Sequence, residues 1–223
     1  MKIIGHIETD FKEKFGIPRQ SGLVAESKGR ILFEKEYNVP EAFRGLEDFS
    51  HIWVLWQFSE AVRETWSPTV RPPLLGGNRR MGVFATRSPF RPNSVGLSAL
   101  KLDRVEITEK EGVVLHVSGA DLLDGTPIYD IKPYLPYADS IPDAVGGFTE
   151  TLEERRLEVI FPYALLEKIN ADKKSALIAV LAADPRPSYQ HDPEREYGMS
   201  FADYEVRFRV DGKTLTVTQV TIK

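Results

Sequence analysis

From Ile3 to Tyr134 the chain offers one short strand-like run after another, with no long helix between them, and this limits its fold more than any other feature. Ser50 to Phe58, SHIWVLWQF, is dense in β-branched and aromatic residues and predicts a central strand. Ile3, Ile4 and Ile7 belong to a short first strand. Arg30 to Tyr37, with Ile31 and Phe33 on one side, reads as a second. Pro40 sits where a helix can begin. Met81 to Thr86, apolar and flanked by glycine, predicts a buried strand. Gly96 to Ile107 and Val113 to Val117 predict a hairpin turning at Glu109 to Gly112. Asp121 to Tyr134 carries an Asp124-Gly125 turn and another short strand. Such a series suggests a mostly β first domain, closed or strongly curled.

A boundary is expected between Pro136 and Glu150, where Pro142, Gly146 and Gly147 interrupt any periodicity. The remainder, 150–223, reads as a small α+β unit. Arg156 to Phe161 is a strand, and Pro162 to Ile169 and Lys173 to Ala183 are short helices. Tyr204 to Val210 and Thr214 to Ile222 form a hairpin across Asp211-Gly212.

Two stretches of the first unit are loops of unusual composition. Arg87 to Asn93, RSPFRPN, puts two guanidinium groups, two prolines and a ring into one short loop. Proline stiffens it, and a guanidinium offers a fixed fork of donors to planar or anionic ligands. The plainer alternative is a solvated basic turn. Ala61 to Arg80, with Trp66, three prolines and Gly76-Gly77, can form neither a long helix nor a long strand. It is expected to cross to the partner subunit of a symmetric dimer.

Charge narrows the partners. A net charge of −4 argues against a generic polyanion binder. Its distribution is uneven, however. Thr65 to Leu102 contains no Asp or Glu but holds Arg71, Arg79, Arg80, Arg87, Arg91 and Lys101, while acids cluster at Glu150, Glu153 and Glu154. One reading is a locally basic face on an acidic protein; the other is that these arginines point in different directions. With no cysteine there is no disulfide, thiolate zinc site or cysteine nucleophile, and a reducing cytosol is the expected compartment. No apolar run is long enough for a membrane helix, and no signal peptide is expected. His6, His51, His116 and His191 lack metal-ligand spacing, so no metal is expected. Neither a dinucleotide or P-loop glycine pattern nor a G-x-S-x-G elbow occurs.

Polar and Gly/Pro residues gather instead at strand ends: Pro18 to Gly22, Ser59-Glu60, Arg87 to Asn93, and Asp124 to Pro127. Four such loops on one sheet can line a single cleft. Asp130, with Tyr134 and Tyr137 nearby in sequence, is the candidate cluster for accepting a proton, or else a structural pair of Asp130 with Lys132 or an Arg beside core tyrosines.

Four segments carry a family resemblance. RPPLLGGNRRMGVFATRSPFRPNSVG, DLLDGTPIYDIKPYLPYAD, IPRQSGL and GLEDFSHIWVLW closely resemble the TsaA-like family, and more narrowly its tRNA adenosine N6-methyltransferases. ADPRPSYQ resembles the extra C-terminal domain of that branch. The resemblance implies a single-sheet β-barrel over 1–140 followed by a C-terminal domain that grips tRNA. It implies a homodimer that uses S-adenosylmethionine to methylate N6 of threonylcarbamoyl-modified adenosine, next to the anticodon of threonine tRNA. The family's methyl-donor contacts fall on Gln20, Ser21 and Gly22, on Ser59 and Glu60, on Arg87 and Leu97, and on Gly125, Thr126, Pro127 and Ile128. In that reading Leu97 and Ile128 touch adenine, while Arg71, Arg79, Arg80 and Arg91, with Arg186 and Tyr189, serve the RNA. A non-catalytic RNA-binding module is the alternative.

Overall fold

The computed structural model describes residues 1–62, 65–75, 79–150, 156–186 and 192–223, so Tyr189, Glu153, Glu154 and His191 lie outside the described residues. Six strands close into one antiparallel barrel: β1 (Gly5–Thr9), β2 (Lys28–Phe33), β3 (His51–Gln57), β6 (Val95–Thr108), β7 (Gly112–Ser118) and β8 (Thr126–Pro133). Their order around the barrel is β1-β2-β7-β6-β3-β8. Alternation decides what fills it: Ile7, Ile31, Ile52, Val54, Trp56, Leu100, Leu115, Val117 and Ile128 point inward and are buried. At most about 2–3 kcal/mol of hydrophobic stabilisation comes with each such side chain.

Two expectations change here. Met81 to Thr86 is not a buried strand. Only β5 (Met81–Gly82) pairs, with β4 (Thr69–Val70), and Val83–Ala85 is a 3-10 turn in which Val83 alone is buried. The helix expected at Pro40 is a 3-10 turn over Pro40–Phe43, whose buried Phe43 packs on Phe33 with centroids 4.6 Å apart.

After β8 come a short α1 (Pro136–Asp139) and a mostly exposed stretch. The second unit is a four-stranded sheet ordered β10-β11-β12-β9: β9 (Glu158–Ile160), β10 (Tyr197–Phe201), β11 (Tyr204–Asp211) and β12 (Thr214–Ile222). The strand β10 had no counterpart in the sequence reading. Two helices accompany the sheet, α2 (Tyr163–Leu166) and α3 (Ala171–Ala182), the latter burying Leu177, Val180 and Leu181.

The β1–β2 connection belongs to both units. Phe11 and Val24 are buried in the core of the C-terminal sheet, with Phe15 and Ile17 packed against it. Phe11 meets Phe201 edge-on at 5.9 Å, and Phe15 stacks on Phe208 at 6.5 Å. Polar contacts add to this. The Asp10 carbonyl accepts the Ala202 N–H at 2.7 Å, Glu13 accepts the Ser200 N–H at 2.7 Å, and Lys173 pairs with Asp10 at 2.7 Å. The C-terminal unit therefore fixes the loop that carries Gln20 to Gly22.

Candidate active site

Antiparallel closure sends three connections out of one end of the barrel: β1–β2 (10–27), β3–β6 (58–94) and β7–β8 (119–125). The four strand-end loops marked in the sequence all leave this end. They are tied together by named bonds. Arg87 donates to the Gln20 side-chain oxygen. Lys14 donates to the Glu60 carbonyl at 2.9 Å and pairs with its carboxylate at 3.4 Å, which binds the Ser59–Ala61 turn to the first connection. The Gly22 N–H donates to the Gly119 carbonyl at 3.0 Å. The Gly125 N–H donates to the Ile7 carbonyl at 2.8 Å, and Asp124 accepts the Thr9 N–H at 2.8 Å and Lys12 at 2.8 Å.

The strand β6 explains why these loops converge. β7 pairs with it only from Lys101 onward, so the first half of β6 has an open edge. The Ala99 N–H on that edge donates to Ser21 Oγ at 3.2 Å. Gly22 and Gly125 both have φ in the left-handed region, +78° and +74°, and nothing lies within 4 Å of where a Cβ would be. Their backbones face open space, which is what close approach of a ligand needs.

Asp121 sits in the same seam. Trp56 Nε1 donates to Ser98 Oγ at 3.0 Å, and Ser98 donates to Asp121 Oδ1 at 2.6 Å. Burial pushes the Asp121 carboxyl up to about 6, against the pull of Ser98, its own backbone, the Ser21 backbone and the Arg87 guanidinium. Gly96 makes room for this chain of bonds, because a Cβ there would overlap the Trp56 ring. Gly96→Ala is expected to displace the indole and cost about 1–3 kcal/mol. Thermal melts and tryptophan fluorescence check it, and an unchanged spectrum and midpoint would count against the packing argument.

The remaining candidates are distributed unevenly. Leu97 is 51% exposed on the outer wall, in one cross-strand row with Leu55 and Asp130. Asp130 pairs with Lys132 at 3.0 Å. Tyr134 lies against His51 and Trp53, and Tyr137 is 87% exposed on α1. Both tyrosines follow β8 at the barrel end opposite the three loops, so a single chain does not bring them to those loops. Thr126 and Ile128 face inward and are buried. The side-chain contact of Ile128 with adenine is therefore corrected: strand alternation turns that side chain into the core.

Arg71, Arg79 and Arg80 are exposed, and Arg80 donates to Thr69 Oγ1 at 3.1 Å. Arg91 lies over the Phe84 ring, 6.0 Å from its centroid, and Phe84 stacks on Trp66 at 6.1 Å. Phe84 is 70% exposed, an aromatic surface that the sequence reading assigned to a buried strand. Arg186 is 7% exposed and holds Asp184 through two bonds of 2.8 and 3.0 Å. Its guanidinium is not presented to a phosphate.

A cleft of about 600 Å3 lies between the outer barrel wall and α3 and reaches Asp10, Lys12 and Asp124 of the loop connections. Its charges satisfy one another, as Lys173–Asp10, Lys12–Asp124, Lys28–Asp103 and Arg30–Glu8. Among the described residues, no cluster of His, Asp and Glu could hold a metal ion, and no helix is long and apolar enough to cross a membrane.

Comparison with known proteins agrees with this architecture. The family profile described as the tRNA-methyltransferase O N-terminal domain matches residues 6–140, and the TrmO C-terminal domain profile matches 154–223. The tRNA (adenine(37)-N6)-methyltransferase of Escherichia coli (strain K12) is 45% identical over 215 residues, covering 93% of this chain and 91% of that one. That of Eikenella corrodens is 50% identical over 173 residues, covering 73% and 92%. The crystal structure of TrmO from Pseudomonas aeruginosa superposes with a TM-score of 0.78 at 32% identity, covering 98% of this chain and 97% of that one. By both domains and along nearly its whole length, the chain belongs to the tRNA-methyltransferase O (TrmO) family.

Proposed function

We propose that this protein is an S-adenosylmethionine-dependent tRNA methyltransferase. It methylates N6 of the threonylcarbamoyl-modified adenosine next to the anticodon of threonine tRNA. The observation that carries this reading is the convergence of three loops at one barrel end, with two open left-handed glycines and an arginine, in a chain of this family. Bound S-adenosylmethionine supplies an electrophilic methyl group. The chain's own part is to hold and orient. Gln20, Ser21 and Gly22, the Ser59-Glu60 turn, and Gly125 to Pro127 offer backbone and polar contacts. The backbone of Ile128 joins them, Arg87 offers a guanidinium for a carboxylate or ribose edge, and Leu97 offers apolar surface. Orienting a weakly nucleophilic exocyclic nitrogen accounts for much of the rate.

The RNA side belongs to the acid-free face. A splayed anticodon-loop base enters a pocket while cations hold the neighbouring phosphates. Exposed Arg71, Arg79 and Arg80, together with Arg91, are the residues for that. Replacing Arg79 and Arg80 together is expected to raise the KM for tRNA and flatten its salt dependence, leaving donor affinity alone. Initial rates against tRNA concentration at two ionic strengths test this, and normal kinetics at both remove these arginines. Calorimetry with S-adenosylmethionine tests the whole reading. No binding would leave the non-catalytic RNA-binding module. Asp130, Tyr134 and Tyr137 join the site only if a second copy lays its outer wall against the loops, as a symmetric dimer could. A monomer by light scattering at assay concentration takes all three out of the chemistry.

A further inference from the structure

We propose that Asp121 is the catalytic proton acceptor of the methyl transfer, held where the three loops meet. This rests on the reading just given. The lone pair of the N6 nitrogen is conjugated with the purine and with the carbamoyl group, so the nitrogen becomes a competent nucleophile as its proton leaves. In the step itself the N6–carbon bond forms while the carbon–sulfur bond breaks, and that electron pair stays on sulfur. The N–H pair stays on N6, and the proton passes to Asp121 and from there to solvent.

The geometry supports an ionised carboxylate. Trp56 N–H donates to Ser98, so the Ser98 hydroxyl proton is directed to Asp121 Oδ1. The backbones of Ser21 and of Asp121 itself also favour its charged form. The Ser98 hydroxyl donates, and a carboxylate is the form that only accepts. Ser21 and Ser98 belong to the seam where Gly22 leaves its backbone open to a ligand. The charged group acting on Asp121 is Arg87 from the β3–β6 connection. Other carboxylates at this end have cations: Glu60 takes Lys14 and Asp124 takes Lys12. Burial makes Asp121 more basic, to about 6. At neutral pH it is then ionised and still a useful base.

The linkage gives a readout without turnover. A native pKa of about 6 lies above the ordinary 3.8. Between those values the native chain keeps a proton that the unfolded chain has lost. The contribution of this group to stability therefore falls as pH rises through about 4 to 6. Asp121→Asn removes that slope, which denaturation midpoints of the two proteins across this window will read.

Kinetics use S-adenosylmethionine and threonine tRNA bearing the threonylcarbamoyl group. The wild-type kcat is expected to fall below about pH 6, and Asp121→Asn to lower kcat about 10²–10⁴-fold with donor affinity by calorimetry unchanged. Asp121→Glu should recover part of the loss. A kcat unchanged in Asp121→Asn overturns the proposal, as does a loss explained wholly by weaker donor binding. If Asp121→Asn does not fold, the wild-type profile decides, and a kcat flat from about pH 5 to 7.5 overturns it. A wild type that neither binds the donor nor methylates this tRNA overturns the preceding reading itself, and the stability slope tells that failure from this one.

Discussion

Phe11→Ala is expected to destabilise the protein by about 3–5 kcal/mol and to weaken S-adenosylmethionine binding in the molecules that remain folded. The first effect follows from burial. Phe11 is 1% exposed in the C-terminal core, and its ring meets Phe201. The second follows from the chain path. Residues 11–24 run through that core and then present Gln20, Ser21 and Gly22 to the barrel end. Arg19 adds a tether, donating to the Arg186 carbonyl at 3.1 Å. A cavity at Phe11 loosens the base of this loop without touching the site. Chemical denaturation gives the first quantity, and calorimetry under native conditions gives the second. Donor affinity equal to wild type in folded Phe11→Ala would mean that the C-terminal unit does not position the loop.

Arg87→Ala is expected to weaken donor binding by about 1.5–3 kcal/mol, roughly ten- to hundredfold, with little loss of fold. Arg87 lies on the surface of the barrel end and bonds to Gln20, not to the core. The substitution has a second consequence. The Arg87 charge holds the Asp121 carboxyl down against burial, so its loss raises that carboxyl further. The acid limb of kcat should move to higher pH in Arg87→Ala. Calorimetry, a thermal melt and the pH profile measure the three effects. An unchanged donor affinity in a folded variant removes Arg87 from the site.

The sequence was informative wherever the local pattern and the final environment agree. The density of SHIWVLWQF decided β3, since Ile52, Val54 and Trp56 alternate into the barrel from a strand that could do little else. Turn residues at four strand ends marked the loops, because tight turns need Gly, Pro and Asp whatever surrounds them. The Arg loop was equally visible, because proline and guanidinium chemistry are properties of the residues themselves.

What needed the tertiary structure was every property set by distant neighbours. MGVFAT looked like a buried strand because apolar residues between glycines usually are. It is an exposed turn because β4 and β5 pair for two residues each and leave Phe84 outside, beside Trp66 and Arg91. Phe11, Phe15 and Ile17 stand among charged residues and turn formers, with no strand or helix periodicity of their own. Only the C-terminal sheet, beginning well over a hundred residues later, gives those side chains an interior. Arg186 resembled an RNA contact until Asp184 and burial claimed it. Asp121, three residues before a turn, is an ordinary loop aspartate in the sequence. Its weakened acidity comes from burial in the seam, which outweighs the opposite pull of Ser98 on β6, Ser21 on the first connection and Arg87. Desolvation is a property of the assembled seam, and no single stretch of chain encodes it.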